Sequence, residues 1–444
     1  AERVQAGELP PVDERLPLEP YVAEGLDGIG NYGGSLRKSF AGQADGSAVQ
    51  YVLDRGLIGI DHNLVMRPWV AASWQVNEDA TVHTFGLRQG LRWSDGEPMT
   101  VEDFRFHYED VLLNRELTAA HPEPLSSVIE GERVPATFEA VDDATIRYVF
   151  TEPKGLMHYW SGVNRNIPAT PAHYMGQFHV DYADAAELDA LVAEAGLDDW
   201  TQLYIDRDDY QINIERPLWY PWIPLNPWSD ELVVFERNPY FWEVDAEGNQ
   251  LPYLDDVRFT LALSTEIAVL RAVNGEIDEQ TRTIGSFDNY TVLKENEVNG
   301  DYTVQVWRAA PVWGFHFNTT TQDPRLRELF SAREFRIAAS LAMNRDEMRE
   351  FLFEGFGTNR QYSPPEDSPL YHEELSNAYL EYDPDEANRL LDEIGLTERD
   401  AEGFRVFNDG SGETISLIIE GTDTSGSQGE DLKLMAIQYL GEVG

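Results

Sequence analysis

The chain has 444 residues, 42% of them hydrophobic and 11% aromatic, so it is long enough to fold around more than one hydrophobic core. Its 80 acidic and 33 basic residues leave a formal charge of -47, which argues against nucleic acid as a partner, because phosphate binding needs basic patches. It contains no cysteine, which excludes disulfides, thiolate metal sites and thiol catalysis.

The start of the chain predicts export. Ala1 is followed by a polar, proline-rich stretch that includes Glu8 to Pro11, and such a start is typical of the mature end left after a signal peptide is cleaved. No run of eighteen apolar residues occurs, so the sequence predicts no membrane-spanning helix. Acidic residues are spread along the whole chain, which favours a hydrated surface, suited to salty water, over a metal store.

The clearest local pattern lies between Thr81 and Leu113. Alternating residues from Thr81 to Arg88 predict a strand, and Ser94 to Pro98 has the composition of a tight turn. Thr100 is placed to cap a following helix, with acidic residues in its first turn. The sequence therefore predicts a strand and a helix joined by a charged corner.

Two further helices are predicted in the second half of the chain. Asp383 and Pro384 have the residue types of an N-cap and a first helical position, and Glu386 is expected to complete the capping box. Arg336 to Leu352 reads as helix interrupted near Asn344, which is expected to cap a second segment. Strands and helices alternate over the whole length without repeats, which favours α/β or α+β domains.

The corner carries a resemblance to a known family. Residues 87–104 read LRQGLRWSDGEPMTVEDF, which closely resembles the LRxGxxWxDGxPxTxxD signature of the family 5 extracytoplasmic solute-binding proteins, the peptide, dipeptide and nickel binder group. Further segments resemble the family in the same order along the chain: residues 64–79, 236–242, 251–255, 275–278, 335–346, 382–395 and 433–444.

The resemblance implies an α/β fold of the type II periplasmic-binding-protein kind, in which two lobes joined by a hinge close over a ligand. Lobe I would comprise residues 1–50 and 165–262, an inserted domain would comprise 51–164, and lobe II would comprise 263–444. Residues 433–444 resemble a helix midway through the family's second lobe, so lobe II is expected to be incomplete. The resemblance further implies a periplasmic, monomeric receptor without cofactor that delivers its ligand to an ABC transporter permease.

Aromatic residues are the candidate ligand contacts, because Trp and Tyr combine a broad apolar face with a polar group. The proline-rich segment 219–228 contributes Trp219, Trp222 and Trp228, for which packing inside a lobe is the alternative. Trp313 and Gly314 match a family segment that often lines the cleft, and Gly314 would permit close approach of a ligand. Tyr32, beside two glycines, and Tyr362, before two prolines, complete the set.

The ligand class stays open between two candidates. Oligopeptide is the default that the family implies. Oligosaccharide is the alternative, since a branch of the family binds oligosaccharides and resembles this chain in the spacing around residues 238–255 and in its 11 tryptophans.

Other functions find less support in the sequence. A hydrolase could use paired carboxylates such as Asp95 and Glu97, although turn chemistry explains that pair. A calcium loop beginning at Asp245 lacks the glycine required at its sixth position. The nine histidines are scattered, so no metal site and no catalytic residue is predicted.

Overall fold

The computed structural model describes residues 2–25, 27–53, 55–63, 65–163, 168–307, 313–421 and 428–444. The chain divides into two compact units, Ala1–Thr303 and Val304–Gly444. Helices and strands are mixed in the first unit, which confirms the predicted α/β class.

Every strand that the structure describes lies in the first unit. The strands are β1 (Tyr21–Val22), β2 (Ser35–Phe40), β3 (Ile58–Ile60), β4 (Met66–Pro68), β5 (Ala71–Val76), β6 (Val82–Leu87), β7 (Ser126–Ile129), β8 (Glu132–Pro135), β9 (Thr137–Asp142), β10 (Thr145–Val149), β11 (Trp222–Pro224), β12 (Leu232–Arg237), β13 (Glu243–Val244) and β14 (Asp256–Leu261).

Two four-stranded sheets organise the first unit. One has the order β11-β12-β14-β2, and in it β2 runs parallel to β14 while the other pairs are antiparallel. The other is an antiparallel sheet of order β5-β6-β10-β9. Alternate residues of β6 and β10 are buried, including Phe85 and Ile146, so one face of this sheet covers the core.

The two four-stranded sheets are built from different parts of the chain. Strands from residues 1–50 and 165–262 build the first sheet, and strands from 51–164 build the second. Residues 263–303 belong to the first unit, although the sequence places the start of lobe II at 263. The boundary between 164 and 165 lies outside the described residues. The assignment of lobes stays a prediction.

The helices of the first unit are mostly short. They are α1 (Glu2–Gln5), α2 (Val12–Arg15), α3 (Gln50–Leu53), α4 (Val101–Arg105), α5 (Met157–Val163), α6 (Ala172–Met175), α7 (Ala185–Ala195), α8 (Trp200–Asp208), α9 (Thr265–Val273), α10 (Tyr290–Glu295) and α11 (Glu297–Gly300).

Helix α4 begins as the sequence predicts and then changes form. Thr100 accepts a hydrogen bond in a capping box whose other member is Asp103. From Phe106 to Leu112 the chain continues as a π-helix. Phe104 and Tyr108 pack into the main core, whereas Phe106 packs with a separate cluster around Tyr204. This segment therefore contributes side chains to two cores on different sides.

The second unit is helical within its described residues. Its helices are α12 (Pro324–Ser331), α13 (Arg333–Leu341), α14 (Arg345–Phe353), α15 (Glu373–Ser376), α16 (Pro384–Glu393) and α17 (Gln428–Val443). Asn344 caps α14 and Asp383 caps α16, as predicted. Glu386 does not complete the box, because its carboxylate is engaged by Arg389 at 2.7 Å.

An extended segment in the second unit pairs with no strand of the described part of the chain. From Ile415 to Glu420 the residues alternate between partly buried and exposed, and Ile418 is 85% exposed. Among the described residues, none forms a backbone hydrogen bond with the amides or carbonyls of Ser416 to Glu420. The inward side chains Ile415 and Leu417 pack against the helical core that contains Phe335 and Leu391.

Candidate functional site

The corner predicted from the sequence forms a rigid scaffold in the first unit. Trp93 is fully buried and packs edge-on against Trp219, with ring centroids 5.6 Å apart. The backbone N–H of Ser94 donates to the carbonyl of Leu218, and the Ser94 hydroxyl accepts from the Leu218 N–H, both at 2.9 Å. The corner therefore holds the start of the tryptophan-rich segment in place.

Two carboxylates of the corner bind residues that follow α5. Asp103 is buried and accepts backbone hydrogen bonds from Thr100 at 2.7 Å and Ala172 at 3.0 Å. Asp95 lies 2.8 Å from Nε2 of His173. Desolvation raises the pKa of Asp95. The hydrogen bond from His173 and the backbone hydrogen bond from Glu97, with smaller contributions, together outweigh desolvation and lower this pKa overall. Asp95 is thus engaged as an ion-pair partner at the corner.

The three tryptophans of segment 219–228 are placed in the core. Trp219, Trp222 and Trp228 are 4%, 5% and 2% exposed. Trp228 contacts Phe40 and Phe259, with ring centroids 4.6 Å and 5.2 Å away. Their burial and ring contacts fit the alternative of packing inside the protein. A ligand role for them stays a prediction that would depend on the edges of the rings.

Tyr32 has a different environment, because it is 53% exposed and still held in one orientation. Its hydroxyl donates to the Gln250 carbonyl at 2.6 Å, the Arg237 guanidinium lies over its ring at 5.2 Å, and Tyr253 packs edge-on at 5.5 Å. Burial raises the pKa of the Tyr32 hydroxyl, while Arg237 opposes that rise. The ring is therefore an ordered, accessible surface.

The loop next to Tyr32 is a turn held by hydrogen bonds. Asp245 accepts from the Tyr253 hydroxyl at 2.6 Å, from the Asn249 side chain at 2.8 Å, and from the backbone N–H groups of Glu247 and Asn249. Desolvation raises the pKa of Asp245, but these hydrogen bonds lower it to about 2. The carboxylate oxygens of Asp245 are already satisfied by donors, so the structure favours the turn over the calcium loop.

Two aromatic pairs are accessible in the second unit. Trp313 is 46% exposed and packs edge-on against Phe353 at 5.9 Å. Tyr362 is 78% exposed and lies 6.2 Å from His316. A Cβ added at Gly314 would meet no atom within 4 Å, so packing does not require glycine there. We refer to Trp313–Phe353 and His316–Tyr362 as the two aromatic pairs of the second unit.

Phe353 and His316 were not identified from the sequence. Phe353 ends a helix whose amphipathic pattern predicts only packing, and His316 is one of several scattered histidines. Folding brings Phe353 to Trp313 and His316 to Tyr362, and the members of each pair are 40 or more positions apart in the sequence.

No cluster of three or more histidine or acidic side chains able to hold a metal occurs among the described residues. A search of the same residues for helices long and apolar enough to cross a bilayer finds none.

Comparison with protein families identifies the fold. The model of the bacterial extracellular solute-binding proteins, family 5 Middle, matches residues 65–444. The chain belongs to this family. The match covers the corner and the whole second unit, and it confirms the resemblance that residues 87–104 indicate.

Relatives within family 5 have names from both candidate ligand classes. The periplasmic alpha-galactoside-binding protein of Rhizobium meliloti is 26% identical over 94% of this chain and 62% of its own length. The periplasmic oligopeptide-binding protein OppA of Escherichia coli is 24% identical over 86% of the chain and 65% of its own length. The chain thus spans less than two thirds of the length of these relatives.

Solved structures of the family have the same fold. A protein named oligopeptide-binding protein OppA matches all of this chain and 69% of its own with a TM-score of 0.75 and 35% identity. The periplasmic binding protein MelB of Agrobacterium fabrum, in complex with stachyose, matches 99% of this chain and 68% of its own, with a TM-score of 0.68 and 24% identity. The family 5 fold predicted from the sequence is therefore confirmed.

Proposed function

We propose that this chain is the solute-binding receptor of an ABC importer and that its ligand is an oligopeptide. The observation that carries the proposal is the family 5 match over residues 65–444. The match to OppA at 35% identity over the whole chain favours the peptide class. In this proposal the protein is a periplasmic monomer that binds and releases its ligand without chemistry, cofactor or metal.

Binding would proceed by lobe closure. A ligand that contacts the closed form more extensively than the open form shifts the population toward the closed form. The membrane permease would recognise that closed form. Tyr32, Trp313 and Tyr362 are proposed as ligand contacts, because their rings are accessible and each contacts a neighbouring ring.

An oligosaccharide ligand is the second candidate. It is favoured by the alpha-galactoside-binding relative, which matches 94% of the chain. It is also favoured by the accessible rings of Trp313 and Tyr362, because aromatic rings present broad apolar surfaces against which a sugar ring can stack.

A thermal-shift screen distinguishes the two classes. Peptides of two to ten residues and α-galactosides are added separately to the protein at concentrations about 100 times an expected Kd, where binding stabilises by about 2.7 kcal/mol. We expect peptides to raise Tm. A rise with α-galactosides alone would replace the peptide proposal with the sugar proposal, and no rise with either class would contradict both ligand assignments for this chain.

Substitution Trp313→Ala tests whether this ring contacts the ligand. We expect ligand affinity to fall about tenfold or more, because the substitution removes a proposed contact. We expect Tm to change little, because the ring is 46% exposed. Isothermal titration calorimetry and thermal unfolding measure the two quantities. Phe351→Ala, at an exposed ring of α14 that is not a proposed contact, is the control and should leave affinity unchanged. A large loss of Tm in Trp313→Ala would instead assign the ring to the core.

A further inference from the structure

A fully buried and a half-buried imidazole face each other where helix α5 meets strand β6 of the antiparallel sheet. His83 lies on β6 and is completely buried, and His158 lies on α5. Their ring centroids are 6.0 Å apart with 30° between the ring planes, and Phe150 packs edge-on against His83 at 5.6 Å. We refer to His83 and His158 as the histidine pair.

The histidine pair lacks the hydrogen-bond partners that buried polar atoms normally have. Nδ1 and Nε2 of His83 and Nδ1 of His158 are buried, and among the described residues only the backbone at Ala80 and Lys154 comes close to the His83 nitrogens, without normal hydrogen-bond geometry. Burial lowers the pKa of His83, the neighbouring His158 lowers it further, and nearby backbone at Ala80 and Lys154 only partly opposes this. Burial also lowers the pKa of His158. The structure therefore accommodates both rings in their neutral form.

The charged residues on the surrounding elements do not compensate a proton on either ring. Arg67 pairs with Asp61 on the β3–β4 side, Arg147 of β10 pairs with Glu139, and Lys154 pairs with Glu123 at 2.7 Å. The remaining acidic residues near these elements are Glu78, Asp79 and Glu152, and none of them bonds to an imidazole within the described part of the chain. An added proton on His83 would thus be a buried charge without a carboxylate partner, and a proton on the half-buried His158 would lie beside that ring.

Helix α5 is otherwise held by apolar contacts. Met157 is 3% exposed and belongs to the main core. At Gly162 an added Cβ would lie 3.5 Å from Ile60, 3.6 Å from Met66 and 3.8 Å from Ile58, so the helix backbone packs directly on the β3–β4 pair. Such contacts do not depend on pH. Any acid sensitivity of this packing would therefore come from the histidine pair.

We propose that the histidine pair is an acid-sensitive latch, which keeps α5 packed against the sheet at neutral pH and releases it in mild acid. Both groups are harder to protonate in the folded form than in a free chain, where histidine titrates near pH 6.5. Below that pH the released form binds more protons, so the packed form loses stability as the pH falls. The stabilisation is fully present above about pH 6.5.

Hydrogen exchange across residues 157–163 tests the latch in the wild-type chain. After correction for the intrinsic pH dependence of exchange, we expect protection at pH 5.5 to be about three- to tenfold lower than at pH 7.5, since each unit of pKa difference corresponds to a factor of ten. His158→Phe keeps an aromatic ring against His83 and removes one titrating group, and it should reduce this pH dependence. His62→Phe, in an exposed turn, is the control and should respond as the wild type does.

Equal protection of α5 at the two pH values in the wild type would overturn the proposal, as would an undiminished response in His158→Phe. If that variant does not fold, ring-nitrogen NMR shifts of the wild type decide the question. We expect His83 and His158 to become charged only when the α5 amides begin to exchange. An imidazolium signal from either ring while α5 remains fully protected would show that the latch does not exist.

Discussion

Asp95 and His173 show how a residue of a recognisable motif acquires a partner that its spacing does not reveal. The two residues are 78 positions apart and meet at 2.8 Å, partly exposed. The hydrogen bond that His173 donates to Asp95 raises the pKa of His173, although burial acts in the opposite direction. The pair links the corner to the start of α6, a contact that exists only once both segments have folded.

The pH dependence of this pair can be predicted from the two shifts. The raised pKa of His173 means that its contribution is fully present below about pH 6.5 and is lost as the pH rises through the folded value. The lowered pKa of Asp95 means that its contribution is lost as the pH falls below about 3.9. We expect His173→Gln to lower Tm more at pH 5.5 than at pH 8.5. A Tm difference that does not depend on pH would show that the pair carries no charge interaction.

Residue identity alone could not separate core from surface among the predicted contacts. Trp228 and Trp313 are the same residue type next to proline or glycine, yet one is 2% and the other 46% exposed. Their exposure is decided by strands and helices that are distant in sequence, such as β2 and β14 around Trp228. The sequence pattern therefore indicates candidate ligand contacts, and tertiary packing decides which of them are accessible.

Helix ends were the elements best predicted, because capping chemistry is local. Thr100, Asn344 and Asp383 all accept backbone hydrogen bonds at the starts that the sequence indicates. The π-helix from Phe106 to Leu112 was not predicted, since the residue pattern there is that of a regular helix. Local signals thus indicate where helices begin but not how they continue.

Substitution Asp383→Ala should destabilise the second unit by about 1 kcal/mol, because Asp383 Oδ1 accepts from the Glu386 N–H at 2.9 Å as the cap of α16. Chemical denaturation monitored by circular dichroism measures the change. Asp385→Ala removes an acidic residue from the same first turn without removing the cap, and it should cost less than about 0.5 kcal/mol. Equal losses in the two variants would mean that charge near the helix end, and not the capping bond, provides the stabilisation.

Net charge acts on the whole molecule. With a formal charge of -47, the folded chain repels itself, and salt screens that repulsion over about 8–10 Å. Individual ion pairs such as Arg37 with Asp278, at 2.6 Å, weaken in salt and act in the opposite direction. The chain has 80 acidic but only 33 basic residues, so the repulsion is expected to dominate.

We therefore predict that Tm rises by several degrees between 0.05 and 1 M NaCl, since each kcal/mol corresponds to about 2–4 °C for a domain of 150–250 residues. Differential scanning calorimetry over a series of salt concentrations measures the effect. Sucrose at matched osmolality is the control for exclusion of solute from the surface. A fall in Tm with salt would show that local ion pairs outweigh the net charge.

The open segment from Ser416 to Glu420 has a practical consequence at this scale. Extended backbone whose donors and acceptors have no backbone partner among the described residues, with protruding apolar side chains such as Ile418, is a template for intermolecular cross-β stacking. Electrostatic repulsion between copies of so acidic a chain is its main defence against such stacking, with Glu420 acting as a local gatekeeper. The salt that makes each copy more heat-resistant should therefore also shorten its shelf life in concentrated solution.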